Sequence, residues 1–173
     1  MRERLKYLLI MFLMLLAVFV TQKPLFMLYN LDVATDVGIG DFFMVMFHGL
    51  QLDITVTSYC MVLPTIVMLL SFFKKVPVRK ILVAYYFILM LIIATIFVAD
   101  AVLYHFWGFK LNSSVFMYTD RPGDALASVS VWFVIFRVLL IFVFAKLYSW
   151  LCYKLTPKFF VRNPKYRISA MIL

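Results

Sequence analysis

Four long apolar runs dominate this chain of 173 residues and constrain its fold more than any other feature. They extend over about 7–31, 42–73, 81–107 and 125–151, and a fifth begins at Ile168. Strands of a membrane barrel would alternate apolar and polar residues, so unbroken runs of this length predict membrane-spanning helices. The composition, 66% apolar and 14% charged, excludes an ordinary soluble domain. The sequence therefore predicts an all-α polytopic membrane bundle with four complete helices and the start of a fifth.

The first two runs each raise a question about how they cross the membrane. The first follows a basic start, but no small-x-small cleavage site comes after it, which favours an uncleaved anchor over a signal peptide. The second, at 32 residues, is longer than the roughly 30 Å hydrocarbon core requires. It must therefore tilt, bend or protrude, and a bend would form most easily at Gly49 or Pro64.

The distribution of charge predicts the orientation of the helices. Three segments that fall on one side of the membrane after four crossings are strongly basic, whereas the loops on the other side are acidic or balanced. By the positive-inside rule the N-terminus is cytoplasmic, and a completed fifth span would export whatever follows it. The basic residues are Arg2, Arg4 and Lys6, then Lys74, Lys75, Arg79 and Lys80, then Lys154, Lys158, Arg162, Lys165 and Arg167.

The net charge of +9 does not indicate a nucleic-acid partner. The basic residues lie mostly between spans rather than along one exposed stripe, where they would follow phosphates. Cys60 and Cys152 fall at different depths, so we expect two buried thiols and no disulfide. The predicted localisation is the cell membrane, with the lipid bilayer as the main partner.

Asp53, Asp100 and Arg137 lie inside otherwise apolar spans. A charged side chain in hydrocarbon is costly unless it faces protein or water, so these residues predict an organised interior surface. Asp53 and Arg137 fall at matching depths, about a dozen residues from the same face. They are expected either to form an ion pair that clamps two helices or to leave Arg137 holding the headgroup of an anionic phospholipid.

The third span carries a second polar group near its end. Asp100, Tyr104 and Trp107 share one helix face, and His105 lies off it. His48, Gln51 and Asp53 are possible cavity residues on the second span, although Gln51 and Asp53 point about 160° apart on an ideal helix. The two histidines are distant in sequence, which argues against a metal site in this chain, and no phosphate-binding loop or nucleophile motif is present.

Two stretches of the chain resemble the membrane portion of the lipoteichoic acid synthase family, the phosphoglycerol transferase and sulfatase-like enzymes of the alkaline phosphatase superfamily. The stretch FHGLQLDITVTSY is similar to a motif early in the second span of that family, with Gln51 where a basic residue is common. The stretch DAVLYHFWGFKLNSSVFMY is similar to an Asp-x-x-x-Tyr and aromatic-Gly-aromatic block at the outer end of the third span. The positions marked by this resemblance are Asp53, Asp100, Tyr104, Trp107, Gly108 and Phe109; Arg137 is added from its depth.

The resemblance implies that this chain is the membrane part of a larger enzyme. Members of that family carry an extracytoplasmic domain with a divalent metal, usually manganese, and a threonine nucleophile, and this chain contains none of that domain. The implied role is to anchor that downstream catalytic domain and to help present a lipid-linked substrate. Two alternatives from other classes remain: a small transporter or channel subunit, and a membrane scaffold subunit without a substrate.

Overall fold

The computed structural model describes residues 2–32, 38–73, 77–108 and 130–156. Within these ranges all regular structure is helical, and four helices are long and apolar enough to cross a membrane. The prediction of an all-α bundle with four spanning helices is thereby confirmed, whereas the fifth run lies outside the described residues. The helices are α1 (Arg2–Tyr29), α2 (Ile39–Phe73), α3 (Val78–Trp107) and α4 (Val131–Leu155).

Local sequence explains where several of these helices begin and end. The Asp41 carboxylate accepts a hydrogen bond of 2.8 Å from the backbone N–H of Gly38 and so caps the start of α2. Pro77 immediately precedes α3, where a missing backbone donor costs little. At the other end of α3, Gly108 adopts a left-handed conformation with φ of 70° and donates to the Tyr104 carbonyl at 2.9 Å.

The helices form two main packed pairs, α1 with α2 and α3 with α4, and smaller contacts of α3 with α1 and α2 join the pairs. Arg4 of α1 donates to the Ser71 hydroxyl of α2 at 2.9 Å, and Arg79 of α3 donates to the Tyr153 carbonyl of α4 at 2.8 Å. The first turns of α1 and α3 therefore meet the last turns of α2 and α4. We call this the basic end of the bundle, because the described residues of all three basic segments of the sequence lie there.

The hydrophobic core lies in the half of the bundle nearer the basic end. All four helices contribute to it, whereas most side chains in the first half of α4 are exposed, as is expected of a surface that faces lipid. The bundle is therefore packed most tightly where its helix pairs are joined. The core includes Tyr7, Met11, Leu15, Met61, Met68, Leu82, Tyr86, Met90, Ala145, Tyr148 and Cys152.

Helix α2 continues through both positions where a bend was considered possible. Pro64 has no N–H, so the carbonyl of Cys60, four residues earlier, loses its partner within the helix. The hydroxyl of Tyr85 on α3 donates to that carbonyl at 2.6 Å. A hydrogen bond between helices thus replaces one that the proline removed from α2.

Helix α2 is longer than its neighbour α1 and extends past it at one end. Its 35 residues span about 52 Å at 1.5 Å per residue, well beyond the hydrocarbon thickness. Lys23 of α1 contacts Asp53 of antiparallel α2, so the last residue of α1, Tyr29, lies roughly level with Phe47. The first two turns of α2 consequently extend past the end of α1.

Candidate functional site

Three residues near the end of α1 connect it to the other three helices. Lys23 contacts Asp53 of α2, Phe26 contacts Tyr104 of α3, and Tyr29 contacts Arg137 of α4. Residues three apart differ by about 60° in direction around a helix axis, so the three side chains cover a sector of about 120° around α1. We call these six residues the α1 C-terminal cluster, and it lies at the end of the bundle opposite the basic end.

The carboxylate of Asp53 forms an ion pair with the ammonium group of Lys23. The Asp53 side chain is only 8% exposed and that of Lys23 is 22% exposed, so the pair is shielded from the surroundings. Pairing offsets the cost of placing either charge at this depth. This is the single ion pair within the described residues.

The expected pair between Asp53 and Arg137 is therefore wrong. The sequence analysis did not consider Lys23, which lies inside the first apolar run, as a partner for Asp53. Helix α1 continues through Pro24 to Tyr29 and carries Lys23 to the level of Asp53. In addition, α2 packs mainly against α1, whereas Arg137 lies on α4, which packs mainly against α3.

Gly49 provides the space through which Lys23 reaches Asp53. It lies one turn before Asp53 on α2, and a Cβ atom at this position would overlap the Cε and Nζ atoms of Lys23. A larger residue would therefore require the flexible end of the lysine side chain to shift. The glycine within the apolar run, considered a bend site from sequence, allows close approach of a side chain from the neighbouring helix.

Arg137 binds a neutral partner instead of a carboxylate. Its Nη2 atom donates to the hydroxyl oxygen of Tyr29 at 2.5 Å, and its guanidinium carbon lies 3.2 Å from the centre of the Phe133 ring. Within the described residues no carboxylate lies within ion-pair distance of Arg137. The positive charge of this guanidinium therefore has no counter-ion among the described residues, and N–H groups are available beyond the one bound to Tyr29.

The residues marked on α3 are only partly described. The Tyr104 ring packs edge-on against Phe26, with 5.0 Å between ring centres, and Asp100 is partly buried one turn earlier. Gly108 ends α3 as described above. Trp107 is the last residue of α3, but its side chain lies outside the described structure, as does all of Phe109. The structure therefore brings Tyr104 to the cluster with Asp53 and Arg137 and leaves two of the marked aromatic residues undetermined.

The other polar residues considered on α2 do not join the cluster. The His48 ring lies 2.8 Å from the Met44 carbonyl of its own helix and is exposed, and the Gln51 side chain is also exposed. In the described ranges no group of three or more His, Cys, Asp or Glu side chains is placed to hold a metal ion. Thr57, one turn after Asp53, is fully buried, and its hydroxyl has no partner in this part of the chain.

A second polar cluster, which the sequence analysis missed, lies within the core near the basic end. The Thr156 hydroxyl contacts the Tyr7 hydroxyl at 3.2 Å and donates to the Cys152 carbonyl at 2.7 Å. The Tyr7 hydroxyl also lies 3.6 Å from the Cys152 sulfur. Cys152 and Thr156 are four residues apart, a spacing that indicates a shared helix face, but nothing in the sequence pairs them with Tyr7 on α1.

No family model, curated protein or solved structure matches this chain. Its class is therefore defined by its own structure: four apolar helices of spanning length make it a multi-pass helical membrane protein. The described residues include an ion pair, an arginine bonded to a tyrosine, and buried hydroxyl groups. These contacts join helices that are distant in sequence.

Proposed function

We propose that this chain is the membrane domain of a sulfatase-like phosphoester transferase or hydrolase that acts at the outer face of a bacterial-type cell membrane. In this proposal the N-terminus and the basic end are cytoplasmic. The α1 C-terminal cluster lies toward the outer face, where it helps to present a lipid-linked substrate. The bond-making chemistry belongs to a downstream extracytoplasmic domain that binds manganese or another divalent metal.

The main observation in support of the proposal is that two stretches distant in sequence both contact α1. The stretch around Asp53 and the stretch from Asp100 to Gly108 are about fifty residues apart, and both resemble the same family. Through Lys23 and Phe26 both contact the last two turns of α1. Residues that resemble one family thus participate in a common structural unit, which supports a shared role.

The position of the apolar core also favours this proposal over a transporter. Met11, Leu15 and Met90 are fully buried, and they lie along the helices between the α1 C-terminal cluster and the cluster around Tyr7. Within the described residues, apolar packing therefore separates the two polar regions. A substrate path through the bundle would require polar groups along its length.

The proposal is tested on the native gene product purified from its own membrane. We expect an intact mass several times the 20.3 kDa of this chain, together with manganese-dependent cleavage or transfer of a glycerol phosphate ester. A threonine variant of the exported domain should abolish activity while the protein remains in the membrane. A native product with the mass of this chain, inactive toward phosphoesters, would overturn the proposal and direct attention to solute flux and partner proteins.

A further inference from the structure

We propose that Arg137 and Tyr29 form a binding site for the phosphodiester anion of a lipid headgroup, at the surface between α1 and α4. The inference deepens the proposed function, because it assigns the substrate-presenting role to two particular side chains. The chemistry recognised is a singly charged phosphodiester, and the source we infer is a lipid within the bilayer.

The hydrogen bond between the two residues leaves donors available on both of them. Arg137 donates to the oxygen of the Tyr29 hydroxyl, so the hydroxyl proton of Tyr29 can be donated to another acceptor. The guanidinium has further N–H groups in a planar arrangement that matches two phosphate oxygens. Contact with the Phe133 ring holds one face of the guanidinium and leaves its edge for the ligand.

The two cations of the α1 C-terminal cluster differ in charge balance. Lys23 is neutralised by Asp53, whereas Arg137 has no carboxylate within ion-pair distance in the described structure. A positive charge in an apolar span without a counter-ion is unfavourable, and a bound anion would offset that cost. The cluster therefore has one structural ion pair and one cation suited to an external ligand.

The position of the pair favours a lipid over a soluble anion. Arg137 lies six residues into α4, about 9 Å from its first residue, and Tyr29 is the last residue of α1. This places the donors near a membrane interface, within reach of lipid phosphates for a long arginine side chain. Tyr29 is 46% exposed, and the apolar residues exposed beside Arg137 on α4, among them Phe136 and Leu140, are suited to contact acyl chains.

The test measures lipid retention by native mass spectrometry of the purified chain, with phosphatidylglycerol and phosphatidylcholine offered in equal amounts. We expect the native sequence to retain phosphatidylglycerol preferentially. Arg137→Gln should reduce that preference about tenfold, and Tyr29→Phe about threefold. The matched control is Lys146→Gln, which removes the same charge from an exposed position nine residues further along α4 and should retain the native preference.

Several outcomes would overturn the assignment. Equal retention of both lipids by the native sequence, or equal loss of preference in Arg137→Gln and Lys146→Gln, would show that no specific site is present. Displacement of the lipid by millimolar glycerol phosphate would assign the site to a soluble anion. If circular dichroism and gel filtration show that Arg137→Gln does not fold, the assignment is tested by Tyr29→Phe alone. That substitution removes a single oxygen, and an unchanged lipid preference would then overturn the assignment. The measurement needs no catalytic domain, so failure of the proposed enzyme function would leave its result interpretable.

Discussion

The charged residues within the spans have distinct roles at the residue scale. Lys23 and Asp53 compensate each other inside the bundle, whereas Arg137 is bonded to a neutral tyrosine. Removing one member of a shielded pair leaves the other charge without compensation, which costs more than removing both. This difference makes the pair testable by a double-mutant cycle.

We expect Lys23→Ala and Asp53→Ala each to lower the free energy of unfolding by about 2 to 3 kcal/mol, somewhat less than for a fully buried pair because Lys23 is partly exposed. The double variant should be less destabilised than the sum of the two single variants. Denaturant titration in detergent micelles measures these values. Strictly additive effects would show that the two charges do not interact.

Substitution of Gly49 provides an independent test of the contact between Lys23 and Asp53. Alanine is favoured over glycine inside a helix by about 1 kcal/mol, so Gly49→Ala would stabilise α2 if it met no neighbour. Because the added Cβ requires the end of the Lys23 side chain to shift, we expect the substitution to give less than this gain in the native chain. In the Lys23→Ala background Gly49→Ala should give the full gain, and equal effects in the two backgrounds would contradict the contact between Gly49 and Lys23.

Two buried tyrosines provide a matched pair at the basic end. The Tyr7 hydroxyl contacts Thr156 and Cys152, whereas the Tyr148 hydroxyl is buried without a partner in the described residues. We expect Tyr7→Phe to lower the free energy of unfolding by about 1 kcal/mol, and Tyr148→Phe to leave it unchanged or raise it. Thermal and denaturant unfolding of both variants checks the contrast. A larger loss for Tyr148→Phe would mean that its hydroxyl has a hydrogen-bond partner.

At the scale of the element, α2 depends on α3 for one of its backbone hydrogen bonds. Pro64 frees the Cys60 carbonyl, and the Tyr85 hydroxyl binds it. We expect Tyr85→Phe to destabilise the native chain by about 1 to 2 kcal/mol, because it leaves that carbonyl unsatisfied away from water.

Tyr85→Phe should have little effect on stability when Pro64 is also replaced by alanine. Alanine at position 64 restores a backbone N–H to the Cys60 carbonyl, so loss of the tyrosine hydroxyl should then cost less than about 0.5 kcal/mol. Unfolding measurements on the single and double variants provide the comparison. Equal losses in the two backgrounds would show that the tyrosine acts through another contact.

At the scale of the whole molecule, the contacts of Arg4 and Arg79 bring the basic segments to one end. The positive-inside rule then predicts which side of the membrane that end faces. We expect Lys80→Cys to be protected from an impermeant maleimide in intact cells and Gly38→Cys to be labelled. Both are introduced into a Cys60→Ala, Cys152→Ser background, and both should react after the membrane is opened. The reverse pattern in intact cells would place the N-terminus outside.

The sequence by itself determined the class of the protein. Apolar runs of more than twenty residues are long enough to cross a membrane, where the backbone N–H and C=O groups can form hydrogen bonds only with each other. Membrane-spanning helices are therefore predicted from length and composition alone. The clustering of basic residues similarly predicted that the first turns of α1 and α3 would lie with the last turns of α2 and α4. Asp53, Asp100 and Arg137 were identified because charged groups in apolar runs require compensation, and Tyr104 because it shares a helix face with Asp100.

Only the tertiary structure decided how those polar groups are compensated. Matching depth suggested Arg137 as the partner of Asp53, but Arg137 contacts Tyr29, about 9 Å further along α1 than Lys23, and α2 and α4 each pack mainly against another helix. Lys23 is the partner because α1 continues past Pro24 and packs on α2, where Gly49 leaves room for the lysine side chain. The Tyr7 and Tyr85 contacts also join residues distant in sequence. Such pairings depend on which face of each helix is turned toward which neighbour. When apolar residues occupy every face of a helix, the sequence pattern does not indicate that face.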